Sequence, residues 1–145
     1  MVDRLEADIE MLNPDQTRGL ARVEWWSVQY SCNVSISYHA QASHSSATDF
    51  FEALAQARRP FECKGYRLLC YGASRDIWPS GMARDMGLGL RAYKLSLGQP
   101  GQGGYEIFEA GPDVVASTVE EQAAFAREWW ESVSKLARRS TSGQS

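Results

Sequence analysis

No stretch of this sequence approaches the roughly 18 consecutive apolar residues that span a bilayer, so no membrane passage is expected. Its start, MVDRLEADIEML, is acidic and carries no apolar run of signal-peptide length. Cysteine is scarce. Cys32, Cys63 and Cys70 are the three among 145 residues, too few and too odd in number for a disulfide-stapled secreted scaffold. Together these shortages point to reduced thiols in a bacterial cytoplasm. Histidine is limited to His39 and His44. Their H-x4-H spacing, and the C-x6-C spacing of Cys63 and Cys70, lack the tight cysteine pairing of structural zinc motifs, so no metal site is expected.

Motifs that name a reaction are missing too. No glycine pattern matches a P-loop or a dinucleotide fingerprint, and no G-x-S-x-G element surrounds Ser80. Asp76 with Asp85, or Glu106 with Glu109, have no spacing that gathers them into one cleft. Cys32 and Cys70 fall in strand-like patterns, where buried inert thiols are commoner than nucleophiles. No catalytic residue is nominated, no cofactor is implied, and the sequence favours a protein that is not an enzyme.

What is present is enough for one packed core. Hydrophobic residues make up 43% of the chain and aromatics 11%, which suits a single domain over residues 1–139 with a frayed tail at 140–145. The net charge of −3 is unevenly distributed: residues 1–57 sum to −5, residues 58–94 to +5 and residues 95–145 to −3. The basic third attracts phosphates or acidic protein surfaces, and the acidic flanks disfavour nucleic acid.

Leu5, Ile9 and Leu12 have helical spacing, which predicts a short helix over residues 3–12. From Val28 to Tyr38 larger side chains alternate strictly with polar ones, which predicts a strand with one wet face. Val23 and Trp25 lie in the opposite phase, so Trp25-Trp26 marks either a bulge or the entry to the strand. A helix is expected over 47–59, capped by Ser46 and stopped by Pro60, with Phe50, Phe51, Leu54 and Ala57 as its apolar stripe. Strands follow near 66–71 and 90–97, and a glycine-rich connection at 98–104 leads into a strand at 105–109. Thr118 and Glu121 form a capping box for a last helix whose inner face is read as Val119, Ala123, Ala126, Trp130 and Val133. The expected fold is α+β: a two-layer sandwich, a mostly antiparallel sheet of about four strands, with two main helices on one face.

Between the 66–71 and 90–97 strands lies the most unusual segment, residues 73–89. It holds Trp78-Pro79-Ser80-Gly81 and the pairs Arg75-Asp76 and Arg84-Asp85, and it is far longer than ordinary strand connections. Ser80 is placed to cap a short helix. The amides of Gly81 and Met82, helped by Ser80 and Arg84, would then suit a phosphate or carboxylate. The simpler alternative is that Ser80 only caps, the methionines fill core and the Arg-Asp pairs fix the loop. The Trp25-Trp26 and Trp129-Trp130 doublets are read mainly as core anchors.

The run from Cys70 to Leu95, CYGASRDIWPSGMARDMGLGLRAYKL, resembles a segment of small, single-domain bacterial proteins similar to immunity proteins. The resemblance implies a cognate toxin as partner and no catalytic set. Arg75, Trp78 and Arg84 are the partner-binding candidates, since tryptophan and arginine dominate protein interfaces. Two other readings stand beside it: a small enzyme or ligand-binding domain capturing an anionic metabolite through residues 73–89, and a homo-oligomer built through an exposed sheet edge.

Overall fold

A computed structural model describes residues 3–142. The fold is α+β, with a curled antiparallel sheet of five strands, a second sheet of three, and three helices. Both sheet and helix counts exceed the expectation from sequence.

The first strand, β1 (Leu5–Leu12), replaces the expected N-terminal helix. It pairs along its whole length with β2 (Arg18–Val28), from Leu5 opposite Trp25 to Leu12 opposite Arg18. Leu5, Ile9 and Leu12 satisfy helical spacing, but Ala7, Ile9 and Met11 satisfy period two equally well. Pairing with β2 decides between them by burying Ile9 and Met11 and leaving Glu6, Asp8 and Glu10 outside.

The alternating run over 28–38 is two strands. Val28 ends β2, Gln29 and Tyr30 form the turn, with Gln29 at a φ of 54°, and β3 is Ser31–Tyr38. Cys32, Val34, Ile36 and Tyr38 are buried as expected, whereas Tyr30, at the turn, is 95% exposed. Val23, Trp25 and Trp26 mark neither a bulge nor the entry to β3. They belong to β2, where Val23 is buried and Trp25 stacks on Phe108 with ring centres 4.0 Å apart.

Ser46 is not a helix cap. It lies in an edge strand, β4 (Gln41–Ala47), with its hydroxyl donating to Asn33 Oδ1 at 2.6 Å. Asp49 caps α1 (Phe50–Glu62) instead, accepting the Glu52 amide at 2.8 Å. The helix passes through Pro60 because Pro60 and Gln56, whose carbonyl loses its partner, both lie on the exposed side. The inner face of α1, with Phe51, Leu54, Ala57 and Phe61, packs inside the sheet against β3 and β4. The chain then crosses to the far edge, where β5 (Arg67–Leu68) pairs with β1, giving the order β4-β3-β2-β1-β5.

A single 3-10 turn at Tyr71–Ala73 leads to the second sheet, β6 (Ile77–Trp78), β7 (Arg91–Lys94) and β8 (Gln102–Glu106). Residues 73–89 are therefore structured: β6 and a short helix, α2 (Gly81–Gly87), occupy most of them. The last helix, α3 (Val119–Ser142), begins at the expected capping box. The Thr118 amide donates to Glu121 Oε1 at 2.8 Å, and the Glu121 amide to Thr118 Oγ1 at 3.1 Å. Its assigned range continues to Ser142, and residues 143–145 of the expected tail lie outside the described residues. α3 packs beside β6, and Trp130 is 64% exposed, so Trp130 is not a buried anchor of the face read as inner, whose Val119, Ala123, Ala126 and Val133 are half-buried. Among the described residues no helix is long and apolar enough to cross a membrane.

Candidate functional site

Among the described side chains of α3 the buried one is polar, Gln122. Its amide nitrogen donates to the carbonyls of Gly72, Ser74 and Ile77 at 3.0, 2.8 and 2.9 Å. Its oxygen accepts from Arg58 of α1, which also reaches the Ser117 carbonyl at 3.2 Å and pairs with Glu62 four residues along the helix. Glu62 in turn accepts the Val119 amide at 2.9 Å, at the start of α3. One interior network therefore ties α1, the first turn of α3 and the 72–77 segment together, and this fixes where Trp78 emerges.

The network carries a desolvation cost. Burial pushes the Glu62 carboxyl up from its ordinary range, against the pull of Arg58, and the Arg58 Nε has no hydrogen-bond partner among the described residues. Removing one member would leave the buried polar atoms that it satisfies short of a partner.

Trp78, half-buried, meets the Phe51 ring edge-on at 5.2 Å. Arg84 lies over both rings, 5.1 Å from Phe51 and 5.3 Å from Trp78, and its Nη1 is 3.6 Å from Asp49 Oδ2. Arg84 thus joins α2 to the N-terminal cap of α1 instead of pairing with Asp85. Arg75 takes another direction, over the Phe125 ring of α3 at 4.8 Å, while its amide donates to the Val115 carbonyl. Asp76 accepts from Ser74 Oγ at 2.9 Å. The two arginines do not converge.

Ser80 caps α2 as expected, accepting the Ala83 amide at 3.0 Å, and Gly81 and Met82 are exposed. The Arg84 guanidinium expected to assist them is held at Asp49. Met82 and Met86 are 71% and 81% exposed, so neither fills core. They rim a groove of about 790 Å3 between α2 and the second sheet, where an exposed ion pair joins Arg91 to Glu106 at 3.2 Å.

Two clefts flank Trp78. One, of about 430 Å3, is walled by Pro79, Tyr93, Leu95, Trp129 and Trp130. The other, of about 490 Å3, lies towards Ala126, Arg127 and Glu131. The Trp129 indole N–H donates to the Gln99 carbonyl at 2.7 Å and pins α3 to the 98–101 turn. The Trp129-Trp130 doublet is thus part of a surface and not a core anchor. Its signal in the sequence was the pair of adjacent indoles on an otherwise charged helix, but its meeting with Trp78 and Tyr93 is a long-range contact.

Catalytic chemistry finds little here. No group of three His, Cys, Asp or Glu residues that would hold a metal ion occurs among the described residues. Burial pushes the Cys70 thiol up to about 11 and the Cys32 thiol upward, away from nucleophilic ionisation at neutral pH. His44 Nε2 lies 3.0 Å from Asn33 Oδ1, and its ring stacks on Trp26. No protein-family model matches the chain, and no curated protein matches it.

Proposed function

We propose that this chain is a stoichiometric protein-binding protein that neutralises a bacterial toxin in the cytoplasm, with its interface around Trp78. The observation that carries this reading is the aromatic surface where half-buried Trp78 meets the exposed Tyr93 and Trp130; Arg75 is exposed over Phe125 of the helix that bears Trp130. Tryptophan, tyrosine and arginine supply most of the energy of protein interfaces, and pre-ordered side chains lose little entropy on binding. Arg75 and Trp78 are contact residues in this account. Arg84 acts through its hold on Asp49 and Trp78. Capture of an anionic metabolite draws less support, because the Arg84 guanidinium is already engaged by a carboxylate.

Growth on co-expression tests the reading. Each gene product encoded next to this chain is expressed with and without it. One neighbour is expected to be toxic alone and harmless with the chain, and Arg75→Glu is expected to weaken protection without unfolding the protein. A complete set of non-toxic neighbours, with turnover of a small molecule by the isolated chain, would replace this function with an enzymatic one.

A further inference from the structure

The 430 Å3 cleft beside Trp78 carries no charged side chain. Its side-chain polar groups are chiefly hydrogen-bond donors. Trp129 uses its indole N–H on Gln99, but no acceptor among the described residues takes the indole N–H of Trp78 or Trp130. Ser80, at the rim, accepts the Ala83 amide and retains its own hydroxyl hydrogen to donate. The walls are the aromatic side chains of Trp78, Tyr93, Trp129 and Trp130, with Leu95 and Pro79 among them.

An occupant suited to such a groove brings acceptors, flat apolar surface and no charge. A polyproline II segment has all three. Each proline has a carbonyl but no N–H, and the helix forms no internal hydrogen bonds, so its carbonyls are open. An α-helix would keep its carbonyls for itself and leave the indoles unpaired. A charged segment would lose hydration against walls that return no counter-charge. Grooves lined with aromatic rings recognise proline-rich segments by this chemistry.

We propose that the groove of Trp78, Tyr93, Trp129 and Trp130 binds an extended, uncharged, proline-rich segment of a partner protein, with the Trp78 and Trp130 indoles donating to its carbonyls. The inference rests on the protein-binding reading above and gives the chemistry of what that surface grips.

The test follows the indole N–H resonances of the five tryptophans in the full chain. The chain is titrated with end-capped decaproline and, separately, with an end-capped serine-alanine peptide of equal length. Saturable shifts are expected at Trp78 and Trp130 with decaproline alone, while Trp25 and Trp26 stay still. Trp130→Ala, at an exposed position, should remain folded and bind at least about tenfold more weakly. No shift at Trp78 and Trp130, or an equal response to the serine-alanine peptide, overturns the proposal. If decaproline fails but Trp130→Ala abolishes protection from the toxin, the proline assignment falls and protein binding stands. If decaproline binds as expected and Trp130→Ala still protects, the groove stands and the toxin contact lies elsewhere.

Discussion

Arg84 and Asp49 meet at 3.6 Å across the join between α2 and α1, and the same Asp49 side chain caps α1 through its other oxygen. The chain leaving α2 closes the join: the Phe50 amide donates to the Leu88 carbonyl at 2.7 Å, and Gly89, at a φ of 69°, passes so near that a Cβ would sit 2.9 Å from Asp49 Oδ1. One carboxylate therefore starts a core helix and anchors the segment bearing Trp78.

Asp49→Ala removes both roles and Asp49→Asn chiefly one. The alanine variant should lose about 1–2 kcal/mol of stability through the missing cap. Asparagine caps as well as aspartate, so Asp49→Asn should retain most of that and lose its coupling to Arg84. Urea denaturation of the two variants, each with and without Arg84→Ala, measures the coupling as a double-mutant cycle. Equal losses for alanine and asparagine would show that the cap contributes little.

Gln122 should matter far more to folding than Trp130. Gln122→Ala strands the Gly72 and Ile77 carbonyls and one guanidinium nitrogen in the interior, the Ser74 carbonyl keeping the Ile77 amide, at a cost of about 3 kcal/mol or more. Trp130→Ala removes a side chain that is 64% exposed and should cost no more than about 1 kcal/mol. Denaturation midpoints compare them directly, and the reverse ranking would mean that the face of α3 is misassigned.

That ranking shows where sequence reasoning stopped. The capping box at Thr118 and the alternation over 31–38 were legible because both patterns are local. Nothing local marks Gln122 as buried, since its partners lie some 45–64 positions away. β4, read as no strand at all, contains only Gln, Ala, Ser and His, so it has no apolar alternation to reveal it. In β1, Leu5, Ile9 and Leu12 fit a helical period while Ala7, Ile9 and Met11 fit a period of two, and only the partner strand chose. Of the site, Trp78 and Arg75 stood out within an unusual segment, but their neighbours Tyr93 and Trp129 arrive through tertiary packing.

The cysteines make a separate prediction. Cys63 is exposed, whereas Cys32 and Cys70 are buried, so one thiol should react with a disulfide reagent in the native protein and three after unfolding. Cys63→Ser should abolish the native reaction. Because the folded Cys70 thiol keeps its proton up to about 11 instead of 9.0, its contribution to stability is full below pH 9 and declines as pH rises through that window. Cys70→Ala should flatten this alkaline loss. Rapid reaction of all three native thiols would contradict the core as described.

Arg75→Glu should act mainly on encounter with the partner. The residue is exposed over Phe125 and not in the interior network, so its charge reversal should leave the denaturation midpoint within about 0.5 kcal/mol of the parent while altering the salt dependence of association. Stopped-flow association at two ionic strengths measures it, and an unchanged rate at both would remove Arg75 from the interface.

If the tryptophan surface beside β6 neutralises a protein partner, it must hold that partner in a stable complex. The most direct test is calorimetric titration of the toxic neighbouring gene product with the intact chain and with folded Trp130→Ala. A one-to-one complex is expected with the intact chain, and binding weaker by about tenfold or more for the variant. Equal affinities for the two, or no complex with any neighbouring gene product, would contradict it.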